Sequence, residues 1–146
     1  MAVNPSERQL AELARLAGSD ADGPLVMLNL NRYRERARYL VEPPGGESPE
    51  VSGREAYARY GIVAWQMITR LGGAIVWSTQ ATVSVVGEEE ERYDEVVAVR
   101  YPSAAAFLEL VADPGILEAA VHREAGLERA LVIRCEDAGA GPLRGI

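Results

Sequence analysis

The sequence predicts an α+β fold of the ferredoxin-like kind, a four-stranded antiparallel sheet with helices on one face, preceded by one extra helix. The main observation is the order of elements, which runs strand, helix, strand, strand, helix, strand. With 146 residues, the chain is long enough for a single domain with a substantial core. The apolar fraction of 48% and the charged fraction of 25% are ordinary for a soluble globular protein.

Residues 4–18 predict the extra helix. Asn4 can cap its N-terminus, with Pro5 in the first position and Glu7 completing a capping box. Gly18 ends it. A narrow stripe of leucine and alanine places this helix on the outside of the domain.

The first crossover unit runs from a strand over residues 25–31 to a long helix. The connecting loop, residues 41–53, contains three prolines and three glycines, and therefore should not form regular structure. Ser52 and Glu55 predict a capping box at the start of the helix. The glycine pair beginning at Gly72 should end it.

The second half repeats this pattern. A valine- and threonine-rich stretch predicts a long second strand, and a glutamate-rich turn leads into a returning third strand. Two short helical segments follow, the second with Asp113 as N-cap. The predicted bounds are 74–87 and 93–101 for these strands and 127–135 for the last strand, within a ferredoxin-like core of 24–135 and before a flexible tail of 136–146.

Both faces of the predicted sheet are apolar. In the first strand Val26, Leu28 and Leu30 lie on one face, while Leu25 and Met27 lie on the other. Helices cover only one face, and a large exposed apolar patch usually marks an association site. We therefore expect a homodimer in which two sheets pack face to face. The alternative is that the N-terminal helix or the loop at 41–53 covers the second face.

Composition excludes several classes of function. The net charge of −7 disfavours nucleic acid as a partner. The absence of lysine excludes Schiff-base and pyridoxal-phosphate chemistry, and a single histidine and a single cysteine make a metal site improbable. No apolar run is long enough to cross a bilayer, and no leader segment is recognisable, so we expect a cytoplasmic protein that contacts no membrane. No cofactor is expected.

Four stretches carry a family resemblance: "MLNLNRYRERARY", "GREAYARYG", "VVAVRYPSAAAFLELVADP" and "HREAGLERALVI". They resemble successive blocks of an uncharacterised bacterial family, the domain of unknown function numbered thirteen-thirty, over roughly residues 24–135. The resemblance implies a dimeric α+β barrel. Proteins with this barrel include cofactor-free quinone-forming monooxygenases, EthD-like proteins, muconolactone isomerases, polyketide cyclases and haem-degrading monooxygenases.

Asn29, Arg32 and His122 are the candidate catalytic residues. Asn29 lies in an apolar strand, so its amide either makes a structural hydrogen bond or points into a cavity. Arg32, just past the strand, could hold a carboxylate or enolate oxygen or could form a salt bridge. His122 is the one general base with a pKa near neutrality, unless it is a histidine at the rim of the helix. Arg34, Arg36 and Arg38 are predicted to be solvated.

Tyr57, Tyr60 and Trp77 are the candidate pocket residues, with core packing as the alternative for each. Asn29, Trp77 and His122 are predicted to converge between sheet and helices. The haem-degrading relatives use a similar set, although here the tryptophan is on a different strand and the asparagine precedes an arginine.

The sequence predicts a homodimer that binds a small, partly apolar organic molecule between sheet and helices. If it is an enzyme, cofactor-free proton or oxygen chemistry is expected, with an amide and an arginine holding an enolate. The alternatives are a haem-binding oxygenase with His122 as axial ligand and a non-catalytic scaffold or ligand sensor.

Overall fold

The computed structural model describes residues 3–137. Short 3-10 turns at Pro44–Gly46 and Glu89–Glu91 interrupt two of the loops. The main elements in chain order are α1 (Glu7–Ala17), β1 (Leu25–Tyr33), α2 (Gly53–Arg70), β2 (Ala74–Gln80), β3 (Glu95–Tyr101), α3 (Ala104–Ala112), α4 (Pro114–Gly126) and β4 (Leu127–Glu136).

The four strands form one antiparallel sheet in the order β2-β3-β1-β4. In this order β1 and β3 are central, and the two crossover helices lie on the same side. The predicted ferredoxin-like fold is confirmed. The core lies between the sheet and the helices, where Leu25 and Met27 of β1 pack with Ile68 of α2 and Ile116 of α4.

The opposite face of the sheet, called the back face below, is apolar and has no helix over it within residues 3–137. In the register of the strands Leu28 pairs with Ala98 and Ile133, and Leu30 pairs with Val96 and Leu131. Val26, Trp77 and Cys135 also lie on the back face, and its polar members include Thr79 and Arg100. The prediction of two apolar faces is thus confirmed.

Neither of the two segments considered as a cover lies on the back face. Leu13 and Leu16 of α1 pack against the core cluster on the helix side. The loop at 41–53 is held against α2, because Arg59 of that helix donates to the Ser48 carbonyl at 2.8 Å and pairs with Glu47 at 2.6 Å. Both segments therefore lie with the helices.

Several predicted boundaries shift. Ser6, not Asn4, is the N-cap of α1 and forms its capping box with Gln9, while the Asn4 amide donates to Glu124 at 3.0 Å. Ser52 caps α2 as predicted. The long second strand ends at Gln80 rather than continuing to residue 87, and the predicted tail lies outside the described residues from 138 onward.

Candidate functional site

Three tyrosines form a cluster where the end of β1 meets the first half of α2. The Tyr33 and Tyr57 ring centroids are 5.4 Å apart, and those of Tyr57 and Tyr60 are 5.6 Å apart. Tyr57 and Tyr60 are one helical turn apart on the same side of α2, as their spacing predicts. We call these residues the tyrosine cluster.

Asn31 is the polar centre beside this cluster. It is 1% exposed and lies on the same face of β1 as the core residue Met27. Its Nδ2 is buried and has no acceptor in hydrogen-bonding geometry. The amide is nevertheless close enough to the Tyr33 and Tyr57 hydroxyls to lower the pKa of both, against the larger effect of burial, which raises them.

Charged groups surround the outer edge of the cluster. The Tyr33 hydroxyl donates to Glu95 at 2.5 Å, and Arg54 lies 4.7 Å from the Tyr33 ring centroid while pairing with the same glutamate at 3.3 Å. Burial, followed by this carboxylate, raises the pKa of Tyr33 well above its ordinary value. Tyr33 therefore stays protonated near neutral pH and acts as a donor.

Two glycines determine how β1 leads into the loop beside the cluster. The Arg34 amide donates to the Gly126 carbonyl at 2.8 Å, and the Gly53 amide donates to the Arg34 carbonyl at 3.0 Å. A Cβ on Gly53 would lie 2.2 Å from the Arg34 oxygen, and one on Gly126 would lie 2.3 Å from the Gly53 oxygen. Only glycine permits this close approach of three backbone segments.

An open pocket of about 570 Å³ lies next to the tyrosine cluster, and Tyr33 forms part of its wall. We call it the arginine pocket, because five arginines and two glutamates line it. These charged residues are Arg32, Arg34, Arg36, Arg38, Arg92, Glu35 and Glu128. Arg34, Arg36 and Arg38, which follow β1 and which the sequence predicts to be solvated, thus meet around one concavity. The candidate catalytic residue Arg32, near the end of β1, lines it as well.

His122 lies on α4 under the loop that joins β1 to α2. It is 5% exposed, and its Nδ1 is 2.7 Å from the Tyr39 hydroxyl. Arg59 donates to that hydroxyl oxygen at 3.1 Å and pairs with Glu47 at 2.6 Å. Burial is the main cause that lowers the pKa of His122, so the imidazole is neutral near pH 7.

The structure does not bring the candidate catalytic residues to one place. Asn29 faces the helices, but its Nδ2 donates to the carbonyls of Met27 and Val97 at 3.1 and 3.2 Å. The Arg32 Nε lies 3.1 Å from a carboxylate oxygen of Glu128. Asn29 thus makes the structural hydrogen bond, and Arg32 the salt bridge, that were the alternatives to a catalytic role.

Trp77 lies on the back face, not between sheet and helices. A bulge at Val76 interrupts the alternation of β2, so that Ile75 pairs with Val99 but Trp77 pairs with Ala98. Trp77 is 55% exposed there. The predicted convergence of Asn29, Trp77 and His122 does not occur in the chain as described, whereas Tyr57 and Tyr60 do meet.

Sequence reasoning missed Asn31, although a signal was present. Asn29 and Asn31 are two residues apart, and so both side chains point to the same face of a strand. The predicted strand stopped at Asn31, which made this residue look like a strand end. The observed strand continues to Tyr33 and leaves Asn31 fully inside.

The fold and the polar cluster beside its sheet define a ferredoxin-like α+β domain with a candidate ligand site at one end. The chain belongs to the family described as a domain of unknown function, DUF1330, which matches residues 46–134. The first of the resembling stretches, in β1, precedes the matched residues. No protein with a curated description matches the chain.

The solved structures agree with this fold. A protein of unknown function from Rhodopseudomonas palustris, RPA0582, is 36% identical, and the match covers 94% of this chain and 98% of that one with a TM-score of 0.80. Its methylated form is 38% identical, with coverages of 97% and 98% and a TM-score of 0.82. A hydroxynitrile lyase from Passiflora edulis is similar in fold alone, at 13% identity, coverages of 82% and 98% and a TM-score of 0.52.

Two further properties of residues 3–137 bear on function. These residues contain no group of three or more histidine, cysteine, aspartate or glutamate side chains placed to hold a metal ion. None of their helices has both the length and the apolar composition that a membrane span requires.

Proposed function

We propose that this protein is a homodimer that binds one small, partly apolar organic molecule per subunit, between the sheet and α2. The ligand lies against the tyrosine cluster and accepts a hydrogen bond from Asn31. The observation that carries the proposal is the Asn31 Nδ2, which is buried beside the Tyr33 and Tyr57 hydroxyls yet has no acceptor in hydrogen-bonding geometry among residues 3–137.

The cost of leaving that donor unpaired supports a ligand. A buried polar group without a partner costs about 1–3 kcal/mol. Asn29, two residues earlier on the same face, has two backbone acceptors for its Nδ2. A carbonyl, phenolate or enolate oxygen would satisfy Asn31 in the same way, while the rings of Tyr57 and Tyr60 offer apolar contact to the rest of the molecule.

One observation favours a non-catalytic binding protein over an enzyme. Asn29, Arg32 and His122 all have protein partners, namely backbone carbonyls, Glu128 and Tyr39. A general base for a bound substrate needs a free position within hydrogen-bond reach. We therefore propose a ligand-binding or ligand-sensing role first, and cofactor-free proton chemistry centred on Tyr33 and Asn31 as the catalytic alternative.

The proposed dimer follows from the back face. Leu131 and Ile133 are each 42% exposed in the single chain, and several neighbours of similar size share that surface. Covering each large apolar side chain is worth about 1.5–3 kcal/mol. A second copy supplies an equally apolar and similarly twisted surface, related by a two-fold axis.

Sedimentation velocity tests the dimer. We expect wild type to sediment as a dimer at micromolar concentration and the double variant Leu131→Asp/Ile133→Asp to sediment as a monomer. The control is Ile62→Asp on α2, which introduces the same charge at an exposed isoleucine away from the back face and should remain dimeric. A monomeric wild type would refute this part of the proposal.

Two matched variants test the ligand site. Asn31→Leu removes a donor that has no acceptor in hydrogen-bonding geometry, so we expect the free energy of unfolding of the ligand-free protein to stay about unchanged. Asn29→Leu removes two hydrogen bonds and should lower it by about 1–3 kcal/mol. Urea unfolding at fixed protein concentration measures both.

Native mass spectrometry supplies the binding readout. Wild type purified under mild conditions should carry a small organic molecule that Asn31→Leu loses and Ile62→Asp retains. If Asn31→Leu is as destabilising as Asn29→Leu, then Asn31 has a structural partner and the proposed ligand contact is wrong.

A further inference from the structure

Alternate residues after β1 are arginines, and the fold brings them together with Arg92 around the arginine pocket. We propose that this pocket is a binding site for a small oxyanion, the carboxylate or phosphate group of a small molecule, and that Arg34 is its central cation. The site is independent of the ligand proposed for Asn31, because it uses guanidinium charge rather than a buried amide.

The charge of the pocket is opposite to that of the protein. The chain carries a net charge of −7, yet five arginines and only two glutamates line this concavity. One of those glutamates, Glu128, is already paired with Arg32. Arg36 and Arg92 also pair with carboxylates, so the excess positive charge of the pocket rests on Arg34 and Arg38. A concavity with such an excess attracts small anions.

No carboxylate of the part of the chain that the structure describes pairs with Arg34. Among residues 3–137, neither Arg34 nor Arg38 forms an ion pair, whereas Arg36 pairs with Glu50 at 3.6 Å and Arg92 pairs with Asp94 at 3.3 Å. The Arg34 Nε is buried and makes no hydrogen bond. This one nitrogen has lost water without gaining an acceptor, and a bound oxyanion would supply one while pairing with the guanidinium charge.

The backbone of Arg34 is held rigidly, which favours a preformed site. Its amide and carbonyl bond to Gly126 and Gly53, the two glycines that permit the close approach. Arg38 is fastened in the same way through Ala125. Binding an anion therefore requires little ordering of the main chain, which lowers the entropic cost of association.

The dimensions of the pocket favour a small molecule over a polyanion. A volume of about 570 Å³ is within the ordinary range for small-ligand pockets. An acidic run, Glu88–Glu91, immediately precedes Arg92 in sequence and would repel an extended phosphate backbone. A compact anion with one or two oxyanion groups satisfies both conditions.

Isothermal titration calorimetry on the full chain tests the proposal, with sodium phosphate and sodium succinate as separate probes and sodium chloride holding the ionic strength constant. We expect saturable binding of at least one probe with one site per chain. Arg34→Gln should weaken it about 10- to 100-fold, the range expected for loss of a contact to a charged group. Arg34→Lys should recover part of the loss, because lysine keeps the charge without the planar fork.

Arg8→Gln is the matched control, since Arg8 is an exposed arginine on α1 whose one ion pair is with Glu12. It should bind like wild type. Circular dichroism verifies the fold of each variant, and Arg38→Gln replaces Arg34→Gln should the latter not fold. Binding of phosphate alone or of succinate alone supports the proposal and identifies the group recognised. The absence of saturable binding up to about 10 mM, or equal weakening by Arg8→Gln, overturns it.

Discussion

The close approach of the backbone at Arg34, Gly53 and Gly126, called the glycine crossing below, can be tested with two glycines of α2. The same substitution to alanine should change stability in opposite directions at these two positions. Gly53 is the first residue of α2, and Gly61 is near its middle. An added Cβ at Gly61 meets nothing within 4 Å, whereas at Gly53 it would lie 2.2 Å from the Arg34 oxygen and 2.6 Å from the Gly126 oxygen.

The expected magnitudes follow from these distances. Gly61→Ala should raise the free energy of unfolding by about 0.5–1 kcal/mol, the usual helix propensity difference. Gly53→Ala must displace backbone, not a flexible side chain, and so it threatens both hydrogen bonds of Arg34. Overpacking costs about 1–3 kcal/mol and each lost hydrogen bond about 0.5–1.5 kcal/mol. We expect a net loss of about 2–4 kcal/mol.

Urea unfolding at one fixed protein concentration measures both changes, because a dimer would make the midpoint depend on concentration. The slope of the free energy with urea should be the same in both variants if only stability changes. A stabilising Gly53→Ala would show that the backbone segments of the glycine crossing lie farther apart than the 2.2 Å and 2.6 Å distances indicate. The positioning of the arginine pocket by these glycines would then be wrong.

The remaining predictions concern a buried histidine and a helix cap. Because the pKa of His122 is lowered on folding, the unfolded chain takes up its proton first, and the free energy of unfolding should fall as the pH drops below about 6.5. The variant His122→Gln should lack this dependence of stability on pH. In wild type, the NMR resonance of the single histidine should titrate with a midpoint below 6.5. A midpoint above 6.5 would contradict the inference that burial lowers the pKa of His122. The Asp22 carboxylate accepts hydrogen bonds from the Ala104 and Ala105 amides at 2.7 and 3.2 Å. Asp22→Ala should therefore lower the free energy of unfolding, measured by thermal unfolding, by about 1–2 kcal/mol. The control Asp20→Ala, at an exposed position, should change it little.

The order of elements was predictable because local signals and burial agree at most positions. The caps at Ser52 and Asp113 and the apolar, strand-forming run of β1 each point to the structure that forms. The two apolar sheet faces were predictable for the same reason. A fold can be predicted from its sequence where local preference and global packing agree in this way.

The site was less predictable because its geometry depends on long-range backbone contacts. Nothing local distinguishes Asn29, which finds carbonyl acceptors, from Asn31, which does not. In the sequence, the arginines after β1 resemble a solvated stretch. In the structure they line a pocket, and the hydrogen bond from the Arg34 amide to the Gly126 carbonyl, distant in sequence, helps to position them. The bulge at Val76, which moves Trp77 to the back face, likewise leaves no local signal.

The dimer proposed from the back face also offers an explanation of the shortened second strand. Residues 81–87 have strong strand propensity, yet the strand ends at Gln80, and Val86 is 94% exposed. A strand needs a neighbour to satisfy its backbone, and the pairing between β2 and β3 stops at Gln80 and Glu95. If a second copy supplies that neighbour, then Val83, Val85 and Val86 become buried together with the back face. Hydrogen exchange of the amides of residues 82–86 should therefore be slow in dimeric wild type and fast in Leu131→Asp/Ile133→Asp. Equal exchange rates in both proteins would show that residues 82–86 are not part of the interface.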